Sequence, residues 1–412
     1  MVLQRDGVMV LGVGGVGEVV AKGLARLPHL KSIVLADRSA DRIEAVKQRI
    51  GDPRIRTRVI DARDVDALTR ELQRDVGIVI HAGIPRFNLE VMQAALNAGC
   101  HYIDMAADGP VELPGLVTIQ KQMTWDEKFR SQGLMALLGI GVDPGVTNIL
   151  ARYARDHMGS IEEIVVYDGD NSVVKDYPFA IAFSPDTSIE ECLQPPLVYR
   201  DGAFHRETPL VSGIEEFTFP DPVGKLTVRS VSHEEVGTLP MYLGVEGLKR
   251  CEFKYALSDE YVNILSVLHT LGLDREEPVQ VNGHSVVPRQ VVTALLPQPA
   301  DLTNALEGTS CVGTWVKGTM PDGTPTEMYL YTMGSHAQSR KDMGANVTVW
   351  QAGIPSVIAV DLMFRGMLDM VGTVVPEQLD PTPWVRELPR WGMPLYVRKT
   401  HTTEVGLSRA FE

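Results

Sequence analysis

The chain has 412 residues, 44% of them apolar and 22% charged, which is the composition of an ordinary soluble globular protein with room for more than one hydrophobic core. A formal charge of −14 with scattered Lys and Arg excludes nucleic acid and anionic membrane as expected partners, because phosphate binding needs a basic surface. Cys100, Cys192, Cys251 and Cys311 stand far apart with no C-x-x-C pair, so neither a metal site nor a disulfide framework is expected. With no apolar leader behind a basic flank, the expected location is cytoplasmic.

The first element is an apolar run, Val8-Met-Val-Leu11, ending in Gly12-x-Gly14-x-x-Gly17 and flowing into a helical sequence. Strand, tight turn and helix in this order form a dinucleotide-binding opening. Gly12 makes the turn, Gly14 lets backbone amides approach a pyrophosphate, and Gly17 lets the helix pack on the strand, with its positive end toward the anion. Gly15 and Val16 complete the loop. A second apolar run ends in Asp37, 20 positions after Gly17 (37 − 17), where an acid receives ribose hydroxyls. Asp37 would repel a 2′-phosphate, whereas Arg38 could bind one or stack on adenine; NAD is therefore the expected cofactor, with NADP possible.

Alternation continues with a helix over 39–47, a strand over 56–61, a helix over 65–73 and a buried strand over 76–81. A helix over 88–98, a strand over 101–104, a helix over 118–132 and a buried strand over 134–141 follow. This predicts a Rossmann-type, doubly wound parallel sheet in an α/β fold, with ligand at the carboxyl ends of the strands. Asp61, Ala62, Ala82 and Gly83, at two such ends, join the expected cofactor site. After a helix over 147–157 the pattern changes to strand-like pieces at 164–167, 197–200, 216–219, 225–229 and 251–255. Asp201-Gly202 and Asp322-Gly323 mark turns between strands of this kind. The expectation is a nucleotide-binding domain over 1–143 and a central α+β domain with a largely antiparallel sheet over 144–344. An apolar helical stretch over 345–368, interrupted at Gly353-Ile-Pro355, opens a segment, 345–412, expected to return to the first domain.

Chemistry should come from loops at the carboxyl edge and from the second domain. Phe87 is a candidate apolar wall and Arg86 a bidentate partner for a substrate carboxylate. Asp104 and Asp108, at a strand end, would attract an amine, with Asp104 the better placed. His81 and His101 titrate in a useful range but are more often structural. Asp143, fixed by Gly141-Val-Asp143-Pro-Gly145, should face the cleft between the domains. Arg86, Arg250 and Lys254 are the cations available for a substrate carboxylate.

Together, several stretches resemble the saccharopine dehydrogenase family along nearly the whole chain. They are the glycine loop, His101-Tyr-Ile-Asp104, Gly141-Val-Asp143-Pro-Gly145 with Asn148-Ile-Leu150, Pro195-Pro-Leu-Val-Tyr-Arg-Asp-Gly202, Gly247-Leu-Lys-Arg250, Val281-Asn-Gly283, Val287-Pro-Arg289 and Gly353-Ile-Pro-Ser356. Within the family the chain looks most like the enzymes that oxidise the lysine side-chain amine. The resemblance implies an NAD(P)-dependent oxidoreductase acting at a carbon–nitrogen bond of a small amino acid or diamine. It also implies a Rossmann domain completed by C-terminal segments, and a homodimer or higher oligomer contacting through the central domain. It places proton handling on Asp143; Asn148, Phe87, Arg86 and Lys254 complete the expected substrate contacts. Two departures, Ala107 for a tyrosine and Gly169 for a cysteine, make saccharopine itself less fitting than lysine. Rival readings are an opine-type or imine-reducing enzyme that joins an amine to a carbonyl compound, and a non-catalytic NAD(H) sensor.

For amine oxidation the ammonium must first lose a proton. An alkyl ammonium has a pKa near ~10.4 and a free Asp ~3.9, a gap of about 6 units or 9 kcal/mol, so Asp143 works as a base only if burial raises its pKa or the amine's falls.

Overall fold

The computed structural model describes residues 5–107, 118–299 and 301–401. β1 (Gly7–Leu11) is buried throughout. It leads through the glycine loop into α1 (Gly15–Ala25), and β2 (Ser32–Asp37) lies parallel beside it. α2 (Ala40–Ile50) starts where the Ser39 hydroxyl accepts the Arg42 N–H and caps the helix. β3 (Ile55–Val59), α3 (Val65–Asp75), β4 (Val76–His81), α4 (Asn88–Ala98) and β5 (His101–Asp104) continue the alternation. The helix expected over 118–132 is two short ones, α5 (Thr118–Met123) and α6 (Asp126–Ser131), and β6 is only Met135–Leu137.

The sheet has seven parallel strands in the order Gly372–Val374, β6, β5, β4, β1, β2, β3. Its order reverses between β1 and β4, so the ligand crevice opens at their carboxyl ends.

After the Asp143 turn come α7 (Val146–His157) and β7 (Ser160–Asp170). β7 is central in a second, nine-stranded sheet, whose main path runs Ala203–Arg206, Leu197–Arg200, Arg250–Tyr255, β7, Thr309–Thr319, Pro325–Ser335, Leu395–His401. Only the Arg250–Tyr255 pairing with β7 is parallel. Both Asp-Gly pairs turn hairpins here: Asp201 and Gly202 have φ of 49° and 86°, the doubly positive pattern that two-residue loops demand.

The stretch expected to be interrupted at Gly353-Ile-Pro355 is one continuous helix, Val347–Phe364, with Pro355 inside it. Packing overrides the local breaker. A Cβ at Gly353 would lie 3.0 Å from Val19, and one at Gly23 would lie 2.7 Å from Val357, so small residues let this helix close on α1. By length and composition it would cross a membrane, but it is a core helix, 83% buried. Among the described residues after 345, Gly372–Val374 joins the parallel sheet, whereas Leu395–His401 pairs with Pro325–Ser335 of the second sheet.

Candidate active site

The glycine loop is shaped by what each position must clear. Gly12 has φ +92°, and a Cβ there would press on the Ala82–Gly83 backbone 2.7 Å away. A Cβ on Gly17 would strike the Gly12 carbonyl oxygen, whereas Gly14 faces open space. The closed position thus packs α1 onto β1, and the open one leaves space beside the α1 N-terminus. Gly15 rests against Val349 of the late helix, and Val16 packs on the main core.

Asp37 is 7% exposed. Its Oδ2 accepts the Val13 N–H at 3.0 Å and its Oδ1 the Ser39 N–H at 2.9 Å. Arg38 is exposed beside it. At the end of β3, Asp61 and Arg63 form a two-point ion pair that holds the Asp61 carboxyl down at about 2. Ala62 is half-buried against the core, and Ala82 and Gly83 form the floor under Gly12, with Gly83 lying over the His81 ring.

Beyond β4 and β5 lies a chain of buried polar groups. His81 Nδ1 is 2.8 Å from Asn88 Oδ1, Asn88 Nδ2 reaches Gln122 Oε1 at 3.3 Å, and Gln122 Nε2 donates to Asp104 Oδ2 at 2.6 Å. Asp104 Oδ1 accepts the Gly139 N–H at 2.6 Å. Burial pushes the Asp104 carboxyl up to about 7 and the His81 imidazole down to about 4. Both Asp104 oxygens are thus engaged, Oδ2 with Gln122 of α5 and Oδ1 with the segment after β6, so its bonds tie three elements together. His101 accepts the Met135 N–H at 3.0 Å and is structural as well. Asp108 lies outside the described residues.

The turn carrying Asp143 is closed by Gly141 N–H to the Pro144 carbonyl at 2.7 Å and by Gly145 N–H to Asn148 Oδ1 at 2.9 Å. Gly145 has φ +133°, where a Cβ would collide with the Gly141 carbonyl. Asn148, 1% exposed, spends its amide on Glu377 Oε2 at 3.1 Å and Thr238 Oγ1 at 3.3 Å. It fixes the turn and is not available to a substrate.

Asp143 thereby joins a buried cluster of ionisable groups, called the chamber below, that the sequence did not reveal. The Asp168 carboxyl of β7 is hydrogen-bonded to it, and Glu191 of α8 (Pro185–Leu193) and His233, Glu234 and Glu235 at the start of α9 (Glu234–Tyr242) complete the wall. His233 stacks on Phe253, centroids 3.8 Å apart and 7° from parallel. Its Nδ1 lies 2.5 Å from Glu235 Oε2, and Glu235 Oε1 accepts from Thr147 Oγ1 at 2.8 Å. Glu234 accepts the N–H of Ala107, one of the two departures, at 2.7 Å. Although no metal spacing is visible in the sequence, donor atoms of His233, Glu234 and Glu235 lie within 4.8 Å of one another. Two of these bonds, His233 to Glu235 and Ala107 to Glu234, hold the trio within the protein itself.

Burial, with like charges beside it, raises the Asp143 carboxyl well above its usual range, Asp168 to about 7 and Glu191 to about 8. Burial alone would lower His233, but Glu235, Glu234 and Glu191 together drive it well above an ordinary imidazole. The charged neighbours that set these values are other carboxyls and this one imidazole.

Strand alternation explains why the expected cations are elsewhere. On Arg250–Tyr255, Phe253 and Tyr255 face the chamber, Tyr255 level with Asp168. Arg250, Glu252 and Lys254 face the opposite side, where Lys254 Nζ meets the Gly213 carbonyl at 2.5 Å and Glu252 at 3.0 Å. Lys254 is thus spent on the Gly213 carbonyl and Glu252, on the face away from Asp143. Arg86 is committed to Glu276 at 2.9 Å and Asp186 at 3.4 Å, linking the loop after β4 to the second domain. Phe87 is half-buried in the turn Pro85–Phe87. Gly169 also points away from the chamber, onto the Phe219 ring.

Residues 8–137 match the saccharopine dehydrogenase NADP-binding domain, and residues 141–393 the saccharopine dehydrogenase C-terminal domain. The chain is 32% identical over 392 residues to the carboxyaminopropylagmatine dehydrogenase of Synechocystis, covering 94% of this chain and 96% of that one. It is 31% identical over 412 residues to the carboxynorspermidine synthase of Vibrio alginolyticus, covering 95% and 97%. The fold matches saccharopine dehydrogenase (L-Glu forming) from Saccharomyces cerevisiae with a TM-score of 0.71 at 14% identity, over 96% of this chain and 100% of that one. It also matches homospermidine synthase from Legionella pneumophila, in complex with NAD, with a TM-score of 0.69 at 15% identity, over 100% and 94%. The chain belongs to the saccharopine dehydrogenase family and is an NAD(P)-dependent oxidoreductase acting on a carbon–nitrogen bond.

Proposed function

We propose that the enzyme joins a diamine-type polyamine to a carboxylate-bearing carbonyl compound, reducing the carbon–nitrogen double bond formed between them to a secondary amine. The single observation that carries this reading is the chamber itself. Asp143, Asp168, Glu191, Glu234 and Glu235 surround His233, and the two cations expected on the neighbouring strand, Arg250 and Lys254, face the other way. Such a field attracts a molecule with two or more ammonium groups. The names of the relatives, a carboxylated aminopropyl group on agmatine and a carboxylated norspermidine, describe products of this type. The polyamine reading therefore replaces the lysine expectation.

The reaction balances as follows. A primary amine and an aldehyde or ketone condense to an imine with loss of water, and the protonated imine accepts a hydride to become a secondary amine. The cofactor supplies that hydride from nicotinamide C4. The residues fit it: open space at Gly14, the α1 N-terminus, and Asp37 holding the loop. We assign cofactor binding to the domain over 1–143 and substrate binding to the one over 144–344.

The work of the chain is to manage protons. An ammonium must be deprotonated before it attacks a carbonyl, and a carboxyl raised to about 7, as in Asp168, narrows the gap from about 6 units to about 3, or about 4 kcal/mol. Asp143 and Asp168 form the acid–base pair, one holding a proton while the other accepts one. His233, fixed by Glu235 and Phe253, presents its second nitrogen to the chamber as the proton source for the imine nitrogen and the leaving water. Glu191 and Glu234 hold the distal ammonium.

The test is NAD(P)H consumption with an aldehyde bearing a carboxylate and a panel of 1,3-diaminopropane, putrescine, agmatine and lysine. Turnover with the diamines or agmatine exceeding that with lysine by about tenfold or more is expected. Lysine oxidation without any reductive activity would return the account to a lysine dehydrogenase.

A further inference from the structure

The carbonyl compound of the proposed reaction brings a carboxylate, and the three cations expected to receive it, Arg86, Arg250 and Lys254, are paired with Glu276 or Glu252. Strand register places a different cation on the chamber face. Lys225–Ser230 pairs antiparallel with Arg250–Tyr255, setting Arg229 opposite Tyr255, and Tyr255 is level with Asp168 of β7. Residues paired across neighbouring strands share a face, so Arg229, Tyr255 and Asp168 form one row on the side where Phe253 stacks on His233. The packing agrees: Val231, two positions on, lies in the same core as Phe253, whereas Val228 lies with Tyr167 under the opposite face. At ~4.8 Å per strand, the row runs about 10 Å from Arg229 to Asp168.

Arg229 is 8% exposed, and its bonds leave a donor over. Nη1 donates to the Leu210 carbonyl at 3.0 Å and Nη2 to Asp259 Oδ1 at 3.1 Å, while Nε is buried without a partner among the described residues. A buried guanidinium donor is costly to leave unpaired unless a ligand supplies the acceptor. Asp259 is a weak claimant, because its side chain is 90% exposed and its ion pair is correspondingly solvated. The Leu210 contact comes from an uncommon backbone: its φ of 65° lies in the left-handed region that bulky side chains rarely enter, and this bend turns the carbonyl onto the guanidinium.

We infer that Arg229 binds the carboxylate of the carbonyl substrate at the outer end of this row, while the amine partner lies among the carboxyls at its inner end. This assignment rests on the reductive-coupling reading and adds a polarity to it, ammonium toward Asp168 and carboxylate toward Arg229. The planar fork matches a carboxylate edge with two parallel hydrogen bonds, and the incoming acid displaces only the solvated Asp259.

The experiment is calorimetric titration of the full chain, saturated with oxidised cofactor, with N-(3-carboxypropyl)-1,3-diaminopropane and with its carboxamide, which differ only in the acid group. The acid should bind at least about tenfold more tightly than the amide. Arg229→Gln should abolish the difference by weakening the acid alone, and Arg229→Lys should restore part of it. Asp259→Asn, a surface change that frees one arm of the guanidinium without touching its strand, should tighten the acid by about two- to fivefold and leave the amide unchanged. Equal binding of acid and amide by the parent would overturn the Arg229 assignment while leaving the polyamine reading in place; binding of neither would overturn both. A preference that survives Arg229→Gln, or an Asp259→Asn variant that gains nothing for the acid, would also overturn the assignment.

Discussion

His233 and Glu235 form the shortest link in the chamber: Nδ1 lies 2.5 Å from Oε2, with the imidazole flat against Phe253. The pair fixes the ring and holds the imidazole protonated beyond its usual range. Glu235→Gln keeps the shape and removes the charge. We expect kcat to fall about 10²-fold, with the alkaline limb of the pH–rate profile moving to lower pH as His233 loses its partner. A lower kcat with an unmoved limb would reduce Glu235 to packing.

Asp143 and Asp168 share a hydrogen bond although the turn after β6 and the end of β7 are distant in sequence. Replacing either with Asn breaks the shared-proton arrangement. Each variant should lose about 10² to 10³ in kcat while cofactor affinity, measured by fluorescence titration, stays within about twofold of the parent. Loss of cofactor binding in parallel would place these residues in the fold's support rather than in the chemistry.

The pH dependence of stability follows from the raised carboxyls. Asp168, Glu191, Asp104 and Glu377, held near about 7, 8, 7 and 7 by burial, keep protons that the unfolded chain gives up near ~4. The folded state therefore binds more protons between about pH 4 and 8, and stability falls as pH rises through that window. His233, also raised, acts in the same sense at its upper end, since its contribution is lost as pH rises through its folded value. Tm of the free protein should decline from about pH 5 to 8, and 1,3-diaminopropane should restore more at pH 8 than at pH 6. A Tm that rises across this range would contradict the buried acid cluster.

Glycine positions separate cofactor binding from folding. Gly14→Ala places a methyl in open space, so Tm should hold within about a degree while cofactor Kd rises tenfold or more. Gly17→Ala drives its methyl into the Gly12 carbonyl and should cost about 1 to 3 kcal/mol in denaturant unfolding as well as cofactor binding. Equal Tm losses in both would mean that Gly14 is packed rather than open.

Arg86 supplies the contrary case. Its two carboxylate partners, Glu276 and Asp186, already occupy the fork, and its side chain is 41% exposed. Arg86→Ala should change substrate KM by less than about threefold, as an exposed ion pair of small net worth would. A KM increase of a hundredfold would reinstate it as the substrate's carboxylate ligand.

The contrast between these sites shows what a linear sequence makes legible. Gly12, Gly14, Gly17 and Asp37 are readable because their geometry is local: strand, turn and helix follow one another within one βαβ unit. Asp143 is readable because Pro144 and Gly145 announce a rigid turn. The chamber is not, because Asp168, Glu191 and His233 come from three elements that meet only through strand pairing and helix packing. Two signals were present, His233-Glu234-Glu235 as a run and Asp168 two before Asp170 on a strand, but neither says which face is inward. Lys254 shows the cost of that missing fact, since a shift of one residue on a strand reverses the face it serves. The run over 345–368 departs from its expected break at Pro355 for the opposite reason: a strong local signal yields to the close fit between that helix and α1.

The most direct measurement is the steady-state kcat/KM of NAD(P)H-dependent reductive coupling, with a carboxylate-bearing aldehyde held saturating, for 1,3-diaminopropane or agmatine against lysine, in the parent and in Glu191→Gln. The account predicts that the parent prefers the diamine or agmatine by about tenfold or more and that Glu191→Gln erases most of that preference by raising the diamine's KM. A parent that uses lysine as well as any diamine, or a preference that survives the loss of Glu191's charge, would contradict a polyamine site built from buried carboxylates.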